Sequence, residues 1–142
     1  MHSHLTVIIP NYTKDIYAEL KKIIEPHRRD EDDIKSIRSH HFDYWYFPSD
    51  LLIDEELKAN YPEDHEEVLN HSSYAKNLPE IYYTSGVIFP DGSWIDLQDF
   101  GWRLLNEPSL KNEYAWRNWL KRFQQLIAAH KEQICTQIIV HC

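Results

Sequence analysis

Residues 81–103, IYYTSGVIFPDGSWIDLQDFGWR, constrain the fold of this chain more than any other segment, because they hold all three glycines and predict a β-hairpin. Residues 81–89 predict the first strand and residues 93–97 the returning strand. Between the strands, Pro90 presets φ, and Gly92 accepts the positive φ that follows Asp91. Residues 96–103 combine aspartates, aromatic rings and a glycine more densely than a plain hairpin needs. We therefore expect the local structure there to be shaped around a binding site.

The composition is typical of a globular protein with a single domain of 142 residues. Asp and Glu number 23 against 15 for Lys and Arg, a net charge of −8 that disfavours binding to duplex nucleic acid. The start of the chain does not have the pattern of a signal peptide, and no apolar run is long enough to span a membrane. The only cysteines are Cys135 and Cys142, and a disulfide between them would close a short loop that constrains the chain little. A reducing compartment is therefore the simpler interpretation, and we expect the protein to be cytoplasmic.

The first part of the chain predicts a strand followed by a helix. Residues 5–9 form a short apolar run, as in a buried strand. Thr13 is a suitable N-cap, and Pro26 ends the helix. One face of this helix carries the apolar residues Ile16, Leu20, Ile23 and Ile24.

Residues 34–47 end in a strand rich in aromatic residues. Strand alternation predicts Phe42, Tyr44 and Tyr46 on one side, and Asp43, Trp45 and Phe47 on the other. Residues 48–79 are polar, and we interpret them as an insertion on the surface of the domain.

Ser109 is expected to cap a long helix that runs to about residue 131, and residues 133–140 predict a closing strand. The apolar stripe of the helix comprises Trp116, Trp119, Leu120, Phe123, Leu126 and Ile127. The order of elements predicts an α+β fold with a mainly antiparallel sheet and two helices packed on one face. A ferredoxin-like arrangement is the first architecture to consider.

His4 and Thr6 have the spacing of a His-x-Thr motif, in which both side chains point the same way from a strand. The motif resembles that of two-histidine phosphoesterases, which implies His4 and Thr6 as catalytic residues directed at a phosphate. The chemistry needs a second such pair. The segment His71-Ser72-Ser73 matches in its letters but has little strand character. The alternative interpretation is that His4 is simply a polar residue near the chain terminus.

The segment His40-His41 with Asp43 could start a metal site. Adjacent residues of a strand point to opposite faces, so His41 and Asp43 can share one ion but His40 and His41 cannot easily do so. A third ligand would then come from Asp96 or Asp99. The chain contains no motif with the spacing of His-Glu-x-x-His, and none of the nucleophile, Walker or dinucleotide motifs. We therefore expect no metal and no cofactor.

A ligand-binding surface is the remaining candidate. Arginines, foremost Arg103 with Arg38 and Arg117, can bind phosphate or carboxylate through their planar guanidinium groups. Aromatic rings can stack on a nucleobase. The predicted ligand-binding residues are Arg103, Trp102, Asp99, Asp96, Tyr44, Trp45 and His41. The alternative is that the tryptophans belong to the core and that Arg103 pairs with Asp96 or Asp99 for structural reasons.

About residues 40–142, the chain resembles small phage-borne and bacterial proteins with a Pro-Asp-Gly-x-Trp hairpin. The resemblance rests on three segments in this order: FDYWYF, VIFPDGSWIDLQDFGWR and IIVHC. This resemblance implies a phage-related setting and no particular site residue.

We hold three hypotheses for the function. The first is a small non-enzymatic binding protein, such as a sponge for a nucleotide-like signal or an inhibitor of a protein partner in phage–host conflict. The second is a His-x-Thr phosphoesterase, and the third a structural module that forms homo-oligomers.

Overall fold

The structure, a computed structural model, describes residues 2–29, 40–102 and 110–142, without the side chains of Leu110 and Lys111. The strands are β1 (His2–Ile9), β2 (Tyr44–Tyr46), β3 (Ser72–Tyr74), β4 (Gly86–Ile88), β5 (Trp94–Asp96) and β6 (Ile134–His141). The α-helices are α1 (Ile16–Ile24), α2 (Glu55–Asn60), α3 (Glu66–Leu69) and α4 (Leu110–Ala129). Short 3₁₀ helices lie at Glu25–His27, Ala75–Asn77 and Leu97–Phe100.

Strands β1 and β6 form the centre of the sheet. They pair antiparallel along their whole length, from His2 opposite His141 to Ile9 opposite Ile134. Strand β4 pairs parallel to β1, β5 pairs with β4, and both β2 and β3 pair with β6. The sheet is therefore mainly antiparallel, and the predicted α+β class is confirmed.

The helices α1 and α4 lie on opposite faces of this sheet. Leu5 and Val7 of β1 belong to the core formed with α1, whereas Ile8 belongs to the core formed with α4. Because alternate strand residues point to opposite faces, both faces of β1 are covered. The prediction that two helices pack on one face is wrong, and the ferredoxin-like arrangement is not confirmed. A continuous apolar run such as residues 5–9 needs cover on both sides.

Helix α1 confirms the predicted apolar face, because Ile16, Leu20, Ile23 and Ile24 are all buried. Its N-cap is Asp15 and not the predicted Thr13, since the Asp15 carboxylate accepts a hydrogen bond of 3.0 Å from the backbone N–H of Ala18. The α-helix ends at Ile24, and Pro26 lies in the 3₁₀ helix that follows.

The aromatic strand is shorter than predicted. Strand β2 contains Tyr44, Trp45 and Tyr46, and it begins after Phe42. Phe42 is fully buried and forms a backbone bridge to Arg28, whereas Tyr44 and Tyr46 are exposed. The prediction that Phe42 shares a side with Tyr44 and Tyr46 is therefore wrong.

Residues 48–79 are part of the sheet and the core. They supply helices α2 and α3 and strand β3, with Leu57 and Val68 fully buried. The buried Asp54 fastens this segment. Its carboxylate caps α2 by accepting a hydrogen bond from the backbone N–H of Leu57. It also accepts hydrogen bonds from the backbone N–H of Tyr74 and from the hydroxyl of Ser73. The interpretation of this segment as a surface insertion therefore does not describe how it packs.

The predicted hairpin turn is confirmed at Gly92, which has a φ of 87° and donates its N–H to the carbonyl of Phe89. The strands that flank it, β4 and β5, are shorter than residues 81–89 and 93–97. Gly86 of β4 allows a close approach of neighbours, because an added Cβ would lie 2.6 Å from Leu5 Cδ2 and 2.9 Å from Asp96 Cβ.

Helix α4 buries Trp119, Phe123 and Leu126, as its apolar stripe predicts. Its predicted cap, Ser109, lies outside the described residues. None of the helices in the described ranges has the length and apolar composition needed to cross a bilayer.

We predict that Asp54→Ala lowers the free energy of unfolding by about 3 kcal/mol, because it removes a helix cap and leaves buried donors without an acceptor. Asp15→Ala is the matched control, since it removes a single exposed cap and should cost about 1 kcal/mol. Urea unfolding of both variants measures the difference. Equal losses would show that Asp54 does no more than cap α2.

We also predict a specific effect of acid. Burial would raise the pKa of Asp54, but hydrogen bonds from Leu57, Tyr74, Ser73 and Asn77 together hold it below the ordinary value of 3.8. The unfolded chain therefore binds this proton first, so the stabilisation is present above pH 3.8 and is lost as the pH falls through the lowered pKa. Asp54→Asn, which cannot titrate, should lose less stability between about pH 5 and pH 2. Urea unfolding at several pH values measures the free energy of unfolding of the unmodified protein and of Asp54→Asn. Equal losses in both proteins across this pH range would contradict the prediction.

Candidate functional site

Five ring side chains meet on one side of the sheet, where β1, β6 and β2 lie next to each other. They are His2, His4, His141, Tyr44 and Tyr46, and together we call them the histidine–tyrosine face. His141 pairs with His2 on one side and with Tyr44 on the other, so their side chains point the same way. Tyr44 is 46% exposed and Tyr46 42%, so this face is open to solvent.

The rings of the face are already packed against each other. Tyr44 stacks on His141, with ring centroids 4.7 Å apart and planes 6° from parallel. The centroids of His2 and His141 are 5.0 Å apart, and His2 Nε2 lies 3.2 Å from the Tyr44 hydroxyl. Because these contacts hold the rings in place, little conformational entropy remains to be lost when a ligand binds.

Asp43 fixes the orientation of His141. The two carboxylate oxygens lie 2.7 and 2.9 Å from His141 Nδ1. A carboxylate accepts hydrogen bonds, so Nδ1 carries a proton and donates it, and in the neutral form of the ring the lone pair lies on Nε2. None of the hydrogen bonds found in the described ranges uses Nε2 of His141.

His4 lies at the border of the face. Its ring packs edge-on against Tyr83 at 5.1 Å, and Tyr83 in turn stacks on Trp116 of α4 at 5.6 Å. Burial lowers the pKa of His4, while the charge of Asp50 opposes the shift. His4 is therefore mainly neutral at pH 7, and the open part of the face ends where α4 begins to cover the sheet.

The second half of the His-x-Thr motif does not reach solvent. Thr6 is fully buried, and its hydroxyl is hydrogen-bonded to Thr84 and to the hydroxyl of Tyr82, each at 2.9 Å. The hydroxyls of Ser72 and Ser73 are also buried and donate to Val68 and Asp54. The arrangement therefore gives no support to a phosphate held between two such pairs.

A second group of polar side chains consists of His40, Asp96 and Asp99, which we call the His40 cluster. His40 Nε2 lies 3.0 Å from Asp99 Oδ2 and 3.8 Å from Asp96 Oδ1. The ligand atoms of the three residues lie within 4.8 Å of one another, so they could hold a divalent cation.

The carboxylates of the His40 cluster also have a structural role. Asp99 accepts the backbone N–H of Asp96 at 2.8 Å, and Asp96 accepts that of Gln98 at 2.9 Å, which together form a capping box. Burial raises the pKa of Asp96, against the opposing effects of the Gln98 N–H and of His40.

The His40 cluster lies at the same end of the sheet as the histidine–tyrosine face, but on the opposite side. Asp96 is paired with Gly86, and Gly86 with Leu5, whose side chain belongs to the core next to α1. His2 and His141 point to the other side, because alternate strand residues face opposite ways. Burial raises the pKa of the nearby Cys142 thiol, and the negative charges of Asp96 and Asp43 raise it further.

The structure does not bring the predicted ligand-binding residues into one site. Tyr44 lies on the face, but Trp45 points to the opposite side and packs on the core next to α1. Trp102 packs on the core next to α4, and Nδ1 of His41 is buried and has no hydrogen-bond partner among the residues that the structure describes. Asp96 and Asp99 meet His40 and not His41. Arg103 and Arg38 lie outside the described residues.

Sequence reasoning missed His2 and His141, and it set His40 aside in favour of His41. Alternation along the closing strand could have placed His141 on one face with Ile139. Alternation could not have shown which strand lies beside the closing strand. Only the pairing of β1 with β6 brings His2 next to His141.

A further cleft lies between α1 and the segment that joins α2 to α3. Its walls include Asn11, Lys14, Tyr17, Tyr61, Asp64 and His65. Its polar groups serve the fold, because Asp64 accepts the N–H of Ile16 and the Tyr61 hydroxyl donates to the carbonyl of Asn11. The cleft therefore attaches α1 to its neighbour and offers fewer groups to a ligand.

Comparison of the chain with protein-family models, curated proteins and solved structures found no match.

We predict that Thr6→Val lowers the free energy of unfolding by about 2 kcal/mol, because the buried Tyr82 hydroxyl loses its partner and the Thr84 hydroxyl, which still donates to Gly86, loses the donor that it accepts from. It should leave any ligand binding at the histidine–tyrosine face unchanged. Thermal unfolding and ligand titration of the same variant measure both effects. A variant of normal stability that loses ligand binding would instead restore Thr6 as a site residue.

Proposed function

We propose that this protein binds a small nucleotide-like ligand on the histidine–tyrosine face. The observation that carries the proposal is the exposed, parallel stack of Tyr44 on His141, flanked by Tyr46 and His2. Such a stack offers a planar ring a ready surface, because every nucleobase has a π-face that can pack on an aromatic side chain.

The polar edges of the same rings support a ligand with hydrogen-bonding groups. Phenol hydroxyls and imidazole nitrogens both donate and accept hydrogen bonds. The net charge of −8 favours a small ligand over a long polyanion, whose many phosphates the protein would repel. A single nucleotide, linear or cyclic, combines a planar ring with few charges.

The resemblance to phage-borne proteins suggests the setting. In phage–host conflict, a protein that binds a nucleotide signal acts as a sponge by lowering its free concentration.

Exposed aliphatic side chains favour a protein partner as the second candidate. Leu51 is 60% exposed, Ile53 52% and Ile81 94%. Tyrosine is also enriched at protein interfaces. In this alternative, the protein inhibits a partner by covering it, or forms a homo-oligomer.

The test is to titrate the purified protein with each member of a panel of linear and cyclic nucleotides and to measure binding by calorimetry. We expect at least one member to bind, and Tyr44→Ala to weaken its binding about fivefold or more, since loss of one stacking ring costs about 1–3 kcal/mol. The control is Tyr12→Ala, because Tyr12 is 83% exposed but lies beyond the other end of β1. A panel without any binder, or equal affinity in both variants, would reject the proposal.

A further inference from the structure

The cross-strand pair His2–His141 has the geometry of two metal ligands. The residues lie directly opposite each other on β1 and β6, and their ring centroids are 5.0 Å apart. Side chains at paired positions of an antiparallel sheet lie on the same face with their Cβ atoms about 5 Å apart. Two imidazoles so placed can reach one ion with small changes of their side-chain torsions.

The contact between Asp43 and His141 is a second, independent observation. Histidines that bind metals usually donate their other ring N–H to a carboxylate, which fixes the tautomer and makes the ligand nitrogen more basic. Asp43 makes this contact at 2.7 Å, and the carboxylate and the imidazole are only 16% and 27% exposed. The binding nitrogen of His141 would be Nε2.

The geometry points to a divalent transition-metal site in which His2 and His141 are the protein ligands and Asp43 positions His141. Imidazole ligands suit zinc, nickel and copper ions. With two protein ligands, the remaining coordination positions are open to water or to a bound molecule.

The His40 cluster is the competing location, and its contacts argue against it. Its carboxylates already accept two backbone N–H groups and face the imidazole of His40. These contacts account for the two carboxylates as members of a capping box that also faces the imidazole of His40. The Asp43 carboxylate accepts one backbone N–H, that of Tyr44 at 3.1 Å, and in addition holds Nδ1 of His141 at 2.7 Å.

A bound ion would also supply what the face lacks. Its five side chains include no lysine or arginine, so it has no fixed positive charge for a phosphate. A divalent cation beside Tyr44 would attract the phosphate of a ligand whose base stacks on the rings. This role for the ion rests on the proposed function, whereas metal binding itself does not.

The first experiment measures Zn²⁺ binding to the whole chain by calorimetry and by metal analysis after dialysis. We expect one ion per chain, lost in His2→Ala and His141→Ala and retained in the control His65→Ala, whose ring stacks on Tyr17 away from the face. Asp43→Asn should weaken binding about 10- to 100-fold, and Asp43→Glu should restore part of it. Zinc should also shift the NMR signals of the His2 and His141 rings.

Several results would overturn the site. The first is that the protein binds no zinc, and the second is that His2→Ala and His141→Ala bind zinc as tightly as the unmodified protein. The third is that only Asp99→Asn loses zinc, which would place the ion in the His40 cluster. His2 lies at the exposed end of β1, so His2→Ala is expected to fold even if His141→Ala does not, and circular dichroism checks both.

Nucleotide titrations with and without Zn²⁺ separate the two proposals. Zinc bound by the histidine pair without any nucleotide binding would support the metal site and reject the proposed function. A nucleotide that binds equally well without zinc, and in His2→Ala, would support the proposed function and reject the role of the ion.

Discussion

The pairing of β1 with β6 is the constraint on which the rest of this structure depends. These two strands pair along their full length, and each remaining strand is attached to them directly or through β4. Both are apolar on two faces near Ile8 and Ile138, so both faces must be covered. Helix α1 covers one face and α4 the other, while the end of the sheet that α4 does not reach carries the rings of His2 and Tyr44.

Local signals in the sequence predicted much of the fold. The Pro90–Gly92 turn, the apolar face of α1 and the stripe of α4 depend on residues close together in the chain, and the structure confirms each. The side on which each helix packs was predicted wrongly, because it depends on strand partners far apart in sequence. The same limit explains why residues 48–79 were taken for a surface insertion: their burial comes from contacts with β6, which composition does not reveal.

The candidate site shows this limit more sharply. Tyr44 was predicted as a ligand-binding residue and does lie on the exposed face. Asp43 was considered as a metal ligand together with His41, because alternation places them on one side of a strand. Its actual partner is His141, which comes from the last strand of the sheet. Asp96 and Asp99 were singled out for their density of charge, and that density serves first to cap a short helix.

Because the histidine–tyrosine face joins residues as far apart in sequence as His2 and His141, we expect it to form late in folding. Bringing His2 beside His141 closes nearly the whole chain into a loop, and contacts of such high sequence separation form slowly. A partly folded chain could keep α4 and the hairpin intact and still have no such face. The ring contacts of His141 therefore report on completion of the whole sheet, and any molecule that binds there selects the fully folded protein and stabilises it against unfolding.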